Sequence, residues 1–502
     1  MPHGVKRLWR WTAERPLAVL LPLEALLLFW RLGLLSPWFD EADTLLFMRG
    51  PLRGAIEIPA SGLHPPAYFV LLWCWMRLPL GLAWTVQART LSVWFALAST
   101  FAVDRLWTRR MERGARWRFL ALWTLSPFLL LYGRMSRSYS LQLLLGVVGA
   151  AYILRLAGER SRRNLALAAG VLIAAMYTHY VPGIALLAAA NVVLARRGRW
   201  RDAAAIDGLV ALALLPWMTW LIPQLREWGA HHVSYALTGG SASEMALKLA
   251  YWAMSFTMGE AIPDAVLPLG ALLVTAVLAL AFVGARRHGD LAWLAVPAAA
   301  AGFLGVTRWV AYPFIPARMI FCFPLFLALF VEGAEVHRRI GRVAMAGMLA
   351  ASLSGIWCYF HLEGFRNKQY PLPMAEIGAR ILAESTAADS AVLVDSSNSD
   401  IFGLRYALRD SRAVLATEDP QAAAKVAQWL ADPGIRKIWF LRNTHDVSPE
   451  GLDARFAAMM GARMRVDAYG YEPFTTLEVR LMRALGMKDS PEYFHELLEY
   501  QR

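Results

Sequence analysis

Apolar runs recur along the chain from Leu17 to Phe360, and short arginine-bearing stretches separate them. Runs of this length and spacing predict membrane-spanning helices. The first run is 17–35. The later spans are 84–107, 117–133, 139–156, 164–178, 181–195, 203–222, 263–285, 290–307, 319–336 and 343–361. That makes eleven spans. An apolar stretch at 66–82 is shorter, holds Arg77 and is broken by Pro65, Pro66 and Pro79.

The charges decide how 66–82 is read. Cytoplasmic loops of membrane proteins carry the excess of Lys and Arg. The basic groups are 6–15, 105–118, 160–163, 196–201, 286–287 and 338–342. If 66–82 crossed the bilayer, the densest group, 105–118, would lie outside. If it is a re-entrant or interfacial helix on the outer face, all six groups fall inside. The expected topology then has the N-terminus inside and the loops around 36–66, 134–138, 179–180, 223–262 and 308–318 outside. The 223–262 loop holds His231, His232 and Glu260. The N-terminal run has no small-residue cleavage site and reads as a retained anchor.

The pattern changes near His361. Residues 362–502 are polar enough for a soluble domain on the outer face. Within it, 391–397 and 437–443 read as buried strands, 374–386 and 420–431 as helices, and 474–482 as a half-exposed strand. The expected fold class is an all-α polytopic membrane domain, 1–361, followed by a small α/β extracytoplasmic domain, 362–502. The second domain has no glycine-rich phosphate loop and is assigned no catalysis.

Composition sharpens this picture. Of 502 residues, 57% are hydrophobic and only 18% charged, too few charges for a soluble chain of this size. The net charge of +13 sits in loops between apolar runs, so it is a topology signal, and nucleic acid is not an expected partner. Cys74, Cys322 and Cys358 all lie in apolar segments, an odd number that argues against disulfides and metal clusters.

The candidate chemistry begins just past the first span. Asp40 and Glu41 stand side by side in SPWFDEADT, with Asp43, Arg49, Arg53, Glu57 and His64 following. Acids beside hydrocarbon are costly and commonly functional. The plainer reading is that they sit in water and favour a helix N-terminus. The other outer loops add Arg89, Tyr132, Arg134, Arg137, Tyr139, His179, Tyr180 and Arg318. Singly, each has an ordinary role as an interface anchor. Together they describe a pocket of acids, guanidiniums and imidazoles at the membrane boundary. Guanidinium forks suit phosphate, so the pocket suits an anionic lipid whose tail stays in the bilayer.

The order SPWFDEADT, HPPAYFVLLW, QARTLSVWFAL, SPFLLLYGRMSRSYSLQLLL, MYTHYVPG, PARMIFCFPLF resembles family 39-like glycosyltransferases of the GT-C class. Protein O-mannosyltransferases and lipid A aminoarabinose transferases belong to that group. The resemblance covers about residues 17–360. It implies a hexosyl- or pentosyltransferase of the cell envelope, in the cytoplasmic (inner) membrane with its active site outside. The implied donor is a polyprenyl-phosphate-linked sugar, and the acceptor is a glycan, lipid or protein. Asp40 matches the catalytic aspartate and Glu41 its neighbour. Relatives carry an acid where Ser138 stands and a lysine where Pro65 stands. The first departure weakens a metal site, though a divalent cation stays open. The second shifts phosphate binding onto Arg134, Arg137 and Arg318. A lipid-sugar transporter and a lipid-linked oligosaccharide ligase or polymerase are the alternatives. A transporter would show paired repeats and deep polar residues, which this sequence lacks.

Overall fold

The computed structural model describes residues 14–231, 241–306, 315–395, 398–408, 414–417, 419, 421–443, 460, 465–476, 479–480 and 493–501. His232 and Arg308 lie outside them. Among the described residues, five helical segments are long and apolar enough to cross a membrane: Tyr139–Gly158, Trp200–Glu227, Asp264–Arg287, Pro316–Val336 and Arg338–His361. Pro16–Phe29, Tyr180–Arg196 and Gly289–Gly305 are shorter apolar helices.

Several expected spans change form. The run at 117–133 is two helices, Arg113–Thr124 and Pro127–Gly133. Ser126 caps the second, its hydroxyl accepting from the Leu129 N–H at 3.3 Å, and Pro127 at the first position cannot continue the helix before it. The run at 319–336 opens as a 3₁₀ turn, Pro316–Cys322, before the helix Phe323–Val336. The outer loop expected over 223–262 holds a helix, Ala242–Met258, capped by the Ser241 hydroxyl on the Glu244 N–H.

The stretch 66–82 forms only a nine-residue helix, Ala67–Trp75, too short to cross the hydrocarbon. Its C-terminal end is held by hydrogen bonds on two sides. The Arg77 guanidinium donates to the carbonyls of Met48 (2.9 Å) and Gly50 (2.8 Å). Trp75 Nε1 donates to the Gln87 carbonyl (2.9 Å), and Gln87 returns its amide to Leu78 (2.8 Å). The C-terminal end of this segment is therefore tied both to residues 48–50, which precede it, and to the start of the next helix at Gln87.

The helix ends fall into groups. Arg116 pairs with Asp104 at 2.6 Å, Arg118 with Glu335, and His288 with Glu332 at 3.0 Å. Arg197 pairs with Asp290, and Arg199 donates to the carbonyls of Leu156 and Gly158. The arginine-rich ends of most of the helices are thus tied to one another. Between the ends, small residues let backbones touch. A Cβ on Gly333 would land on the Leu280 carbonyl oxygen, so the helices Leu267–Arg287 and Phe323–Val336 approach at glycine.

The chain divides into two compact units, 1–32 with 47–366, and 33–46 with 367–502. This departs from a simple break at His361. The segment after that residue is bound to the first unit. Ile262 N–H donates to the Gly364 carbonyl and Arg366 N–H to the Glu260 carbonyl, both at 2.8 Å, and Arg366 pairs with Asp264 at 2.5 Å. In the other unit, Trp38 packs edge-on against Tyr370, ring centroids 5.3 Å apart.

The second unit carries a five-stranded sheet in the order β2-β1-β3-β5-β4. The strands are β1 Ser390–Val394, β2 Val414–Ala416, β3 Lys437–Asn443, β4 Arg465–Pro473 and β5 Tyr493–Gln501. The first three run parallel, and β5 is antiparallel to its neighbours. Alternation along β1 and β3 feeds two cores. Val392, Val394, Trp439 and Leu441 pack with Ile377, Ile381 and Leu404 on one face. Leu393, Ile438 and Phe440 pack with Val426 on the other. Of the strand expected over 474–482, the described residues 474–476 and 479–480 are not strand: 476 and 479–480 are helical, with Val479 N–H bonded to the Thr475 carbonyl.

Candidate functional site

Four of the residues singled out by sequence come together in the first unit. His64 follows the helix Leu52–Ser61, and His179 sits between the helices Arg162–Thr178 and Tyr180–Arg196. Arg137 lies in the turn before Tyr139–Gly158, and Arg318 in the 3₁₀ turn Pro316–Cys322. Burial pushes the His64 imidazole down to about 3, and the charges of Arg137 and Arg318 push in the same direction. Burial holds His179 well below its ordinary value too, with Arg318, His64 and Arg137 adding to it. Both rings are therefore neutral at physiological pH.

Local structure fixes the ring of His179. It caps the helix that follows, its Nδ1 accepting from the Val181 N–H at 3.2 Å. With Nδ1 an acceptor, the neutral ring carries its proton on Nε2 and can donate there. Arg137 is buried. Two guanidiniums and two neutral imidazoles thus lie within electrostatic range of one another, Arg137 buried and Arg318 half-buried.

Arg89 and Arg134 do something else. Arg89 donates to the Leu32 carbonyl at 3.0 Å, and Arg134 donates to the carbonyls of Trp30 and Arg31 at 2.8 and 2.5 Å. These carbonyls close the C-terminal end of the first helix, where a cation is favoured. The Arg134 guanidinium also lies over the rings of Tyr359 and Phe360, 5.0 and 5.2 Å from their centroids. Arg134 thus joins the first helix to the last one of the bundle.

Tyr132 and Tyr139 are buried with rings edge-on, centroids 5.4 Å apart. The Tyr132 hydroxyl donates to Glu260 Oε1 at 2.5 Å, and Tyr251 donates to Glu260 Oε2. Burial pushes the Glu260 carboxyl up to about 7, against the tyrosine hydroxyls that hold it down. Sequence reasoning noted Glu260 only as a loop residue. A lone acid between Gly259 and Ala261 gave no sign of its two tyrosine partners. It also passed over Glu24, the single acid of the first apolar run. Thr100 Oγ1 donates to Glu24 Oε1 at 2.8 Å, and Trp123 Nε1 donates to Thr100 at 2.7 Å. Tyr180 accepts from Trp217 Nε1 at 2.7 Å.

Asp40 and Glu41 belong to the second unit. They occupy the first turn of the helix Phe39–Phe47, where negative charge suits the helix N-terminus. Asp40 is half-buried, and its carbonyl accepts from the Thr44 hydroxyl at 2.7 Å. Glu41 is 1% exposed, so it does not sit in water. Among the described residues, no three His, Cys, Asp or Glu side chains gather to hold a metal ion.

No family model and no curated protein matches the sequence. Solved structures do. ArnT from Cupriavidus metallidurans matches in the apo state and bound to undecaprenyl phosphate, with TM-scores of 0.54 and 0.53 at 13% identity. Each match covers 97% of this chain and 98% of the other. An oligosaccharyltransferase from Archaeoglobus fulgidus, in complex with Zn and sulfate, matches at a TM-score of 0.46 and 11% identity, over 88% of this chain and 69% of its own. Across almost its whole length, this chain takes the GT-C fold seen in ArnT.

Proposed function

We propose that this protein is a membrane glycosyltransferase that moves a sugar from a polyprenyl-phosphate-linked donor to an acceptor at the outer face of the cytoplasmic membrane. The observation that carries the reading is the cluster of Arg137, Arg318, His64 and His179 in a chain with the fold of ArnT, a protein solved with undecaprenyl phosphate. Arg137 and Arg318 hold the donor phosphate. His64 and His179 are neutral donors beside it. Arg89 and Arg134 secure the end of the helix that precedes Asp40 in the chain.

In the reaction, an acceptor hydroxyl or amine attacks the anomeric carbon, and the bond from that carbon to the phosphate oxygen breaks. Asp40 takes the acceptor's proton as general base. The polyprenyl phosphate leaves with its charge stabilised by the two guanidiniums. A phosphate is a good leaving group, so no protonated acid has to assist it. Glu41 positions Asp40. Inversion at the anomeric carbon comes from the family resemblance. The purified protein should release sugar from a polyprenyl monophosphate sugar when acceptor lipids are added. A protein that acts only on a lipid diphosphate oligosaccharide would be a ligase, and one that moves the donor across a vesicle without cleaving it a transporter.

A further inference from the structure

A second, unassigned concavity lies in the first unit between the helices Leu52–Ser61 and Trp200–His231. Its volume is about 440 Å³, within the range of small-ligand sites. Ile56, Arg53 and Glu57 form one wall, and Trp217, Thr219 and Trp220 the other. Arg53 and Glu57 pair at 2.8 Å on the rim, both open to solvent. Trp217 and Trp220 stand three residues apart on one helix face and stack, ring centroids 5.5 Å apart and planes 25° from parallel.

Both walls lead directly to the anion cluster. Trp217 Nε1 bonds the Tyr180 hydroxyl at 2.7 Å, and Tyr180 follows His179 in the chain. The other wall ends at Ser61, and His64 lies just beyond it. We propose that this groove binds a pyranose ring of a saccharide acceptor, stacked on Trp217 and Trp220 and met at its hydroxyls by Arg53, Glu57 and Thr219. The assignment of the bound sugar as acceptor rests on the transferase reading.

The chemistry of the lining favours a sugar over a lipid tail. The negative face of an indole attracts the polarised C–H groups on one face of a pyranose, and flat rings match flat rings. Charged side chains at the rim bond the equatorial hydroxyls. A hydrocarbon chain gains nothing from Arg53 or Glu57. The same unit offers hydrocarbon a better place: a groove of about 540 Å³ lined by Leu269, Leu272, Leu273, Ile340 and Val343. The open, charged rim also suits a ligand that arrives from water, whereas a lipid-linked donor arrives from the bilayer.

The test is photolabelling of the full-length protein in lipid nanodiscs. The probes are gluco-, galacto-, manno- and 2-acetamido-configured glycosides carrying a diazirine on the sugar, and a diazirine-bearing palmitate. Peptide mapping should place at least one sugar probe on residues 52–57 and 216–220, and palmitate on residues 269–273. Trp220→Ala should cut the sugar label about three- to tenfold, the loss of one aromatic contact, and Trp220→Phe should restore most of it. Thermal melting of both variants checks that they fold. The label should survive preloading with a polyprenyl monophosphate sugar. No sugar label in the groove, palmitate in its place, or loss of label on donor preloading would each overturn the proposal. Sugar release from the donor is measured in parallel. Release without labelling refutes the groove alone, and labelling without release refutes the transferase reading alone.

Discussion

The Tyr132 hydroxyl and Glu260 meet at 2.5 Å across a sequence separation of 128 residues, and Tyr251 closes on the other carboxylate oxygen. The pair links the short helix Pro127–Gly133, beside the Arg134–Arg137 turn, to the loop that binds residues 364–366. Glu260 is 1% exposed. Its network therefore fixes the turn that presents Arg137, and its protonation state bears on the stability of that turn.

That network has a pH dependence of definite sign. The Glu260 carboxyl is raised from 4.5 to about 7, so the folded protein holds a proton that the unfolded chain gives up. Its contribution is fully present below pH 4.5 and is lost as pH rises through 7, roughly 3 kcal/mol in all. Glu260→Gln removes this titration but loses one tyrosine bond, about 1 kcal/mol. The melting temperature of the variant relative to the parent should rise between pH 5 and pH 8. A difference that stays flat would show that Glu260 does not titrate there.

His64 should show the opposite slope. Its imidazole is held down to about 3, so folding keeps it neutral while the unfolded chain takes up a proton below 6.5. The stability it supports is present above pH 6.5 and drains away as pH falls toward 3. His64→Gln should therefore be less sensitive to acid than the parent, by up to about 1.4 kcal/mol per pH unit in that window. A ¹⁵N-labelled His64 ring should show no protonation at pH 6. An imidazolium signal there would mean that the ring is not buried beside Arg137 and Arg318.

The arginines divide into two kinds, and substitutions should separate them. Arg137→Lys and Arg318→Lys keep the charge but lose the fork, so donor affinity should fall about tenfold or more. Arg134→Lys should act on the fold, because its guanidinium holds the Trp30 and Arg31 carbonyls and lies over Tyr359 and Phe360. The expected result is a lower melting temperature with donor affinity kept. Donor affinity unchanged in the Arg137 and Arg318 variants would remove the phosphate site.

Much of this arrangement was legible in the chain, for physical reasons. Arginine in short loops marks helix ends, and the short, proline-broken stretch 66–82 reads as too little for a full span, as its nine-residue helix shows. Strands such as 437–443 show as compact apolar runs. What could not be read is what depends on distant partners. Nothing local separates Arg137, in the anion cluster, from Arg134, three residues earlier, which closes a helix end. Glu260 and Glu24 are single acids whose roles come from Tyr132, Tyr251 and Thr100. The segment 33–46 groups with 367–502 through contacts such as Trp38 on Tyr370, which no periodicity announces.

Topology gives a direct test. Residues 60–64 and 84–88 flank the Ala67–Trp75 helix, just past which Arg77 donates back to the carbonyls of Met48 and Gly50. Once the exposed Cys74 is replaced by serine, single cysteines at both positions should react with an impermeant maleimide from outside. Reaction at 84–88 from the cytoplasm alone would make 66–82 a true span and reverse every later loop.

Asp40 carries the most exposed prediction. It sits in the first turn of Phe39–Phe47, the next helix after the apolar helix Pro16–Phe29, and its neighbour Glu41 is buried. A carboxylate in the half-buried Asp40 position can take a proton from an acceptor within hydrogen-bond reach. Asp40→Asn keeps the shape and removes the basicity. Turnover should drop roughly 10²–10⁴-fold while donor binding survives. Glu41→Gln should cost less, because orientation is restored in part by an amide of the same size. Chelator should have a small effect, since Ser138 stands where the resembled family would place a second acid and the described residues offer no three-ligand cluster. An active Asp40→Asn protein would rule out the base. Loss of activity in chelator, restored by a divalent ion, would instead make Asp40 a metal ligand, with Glu41 the first partner to test.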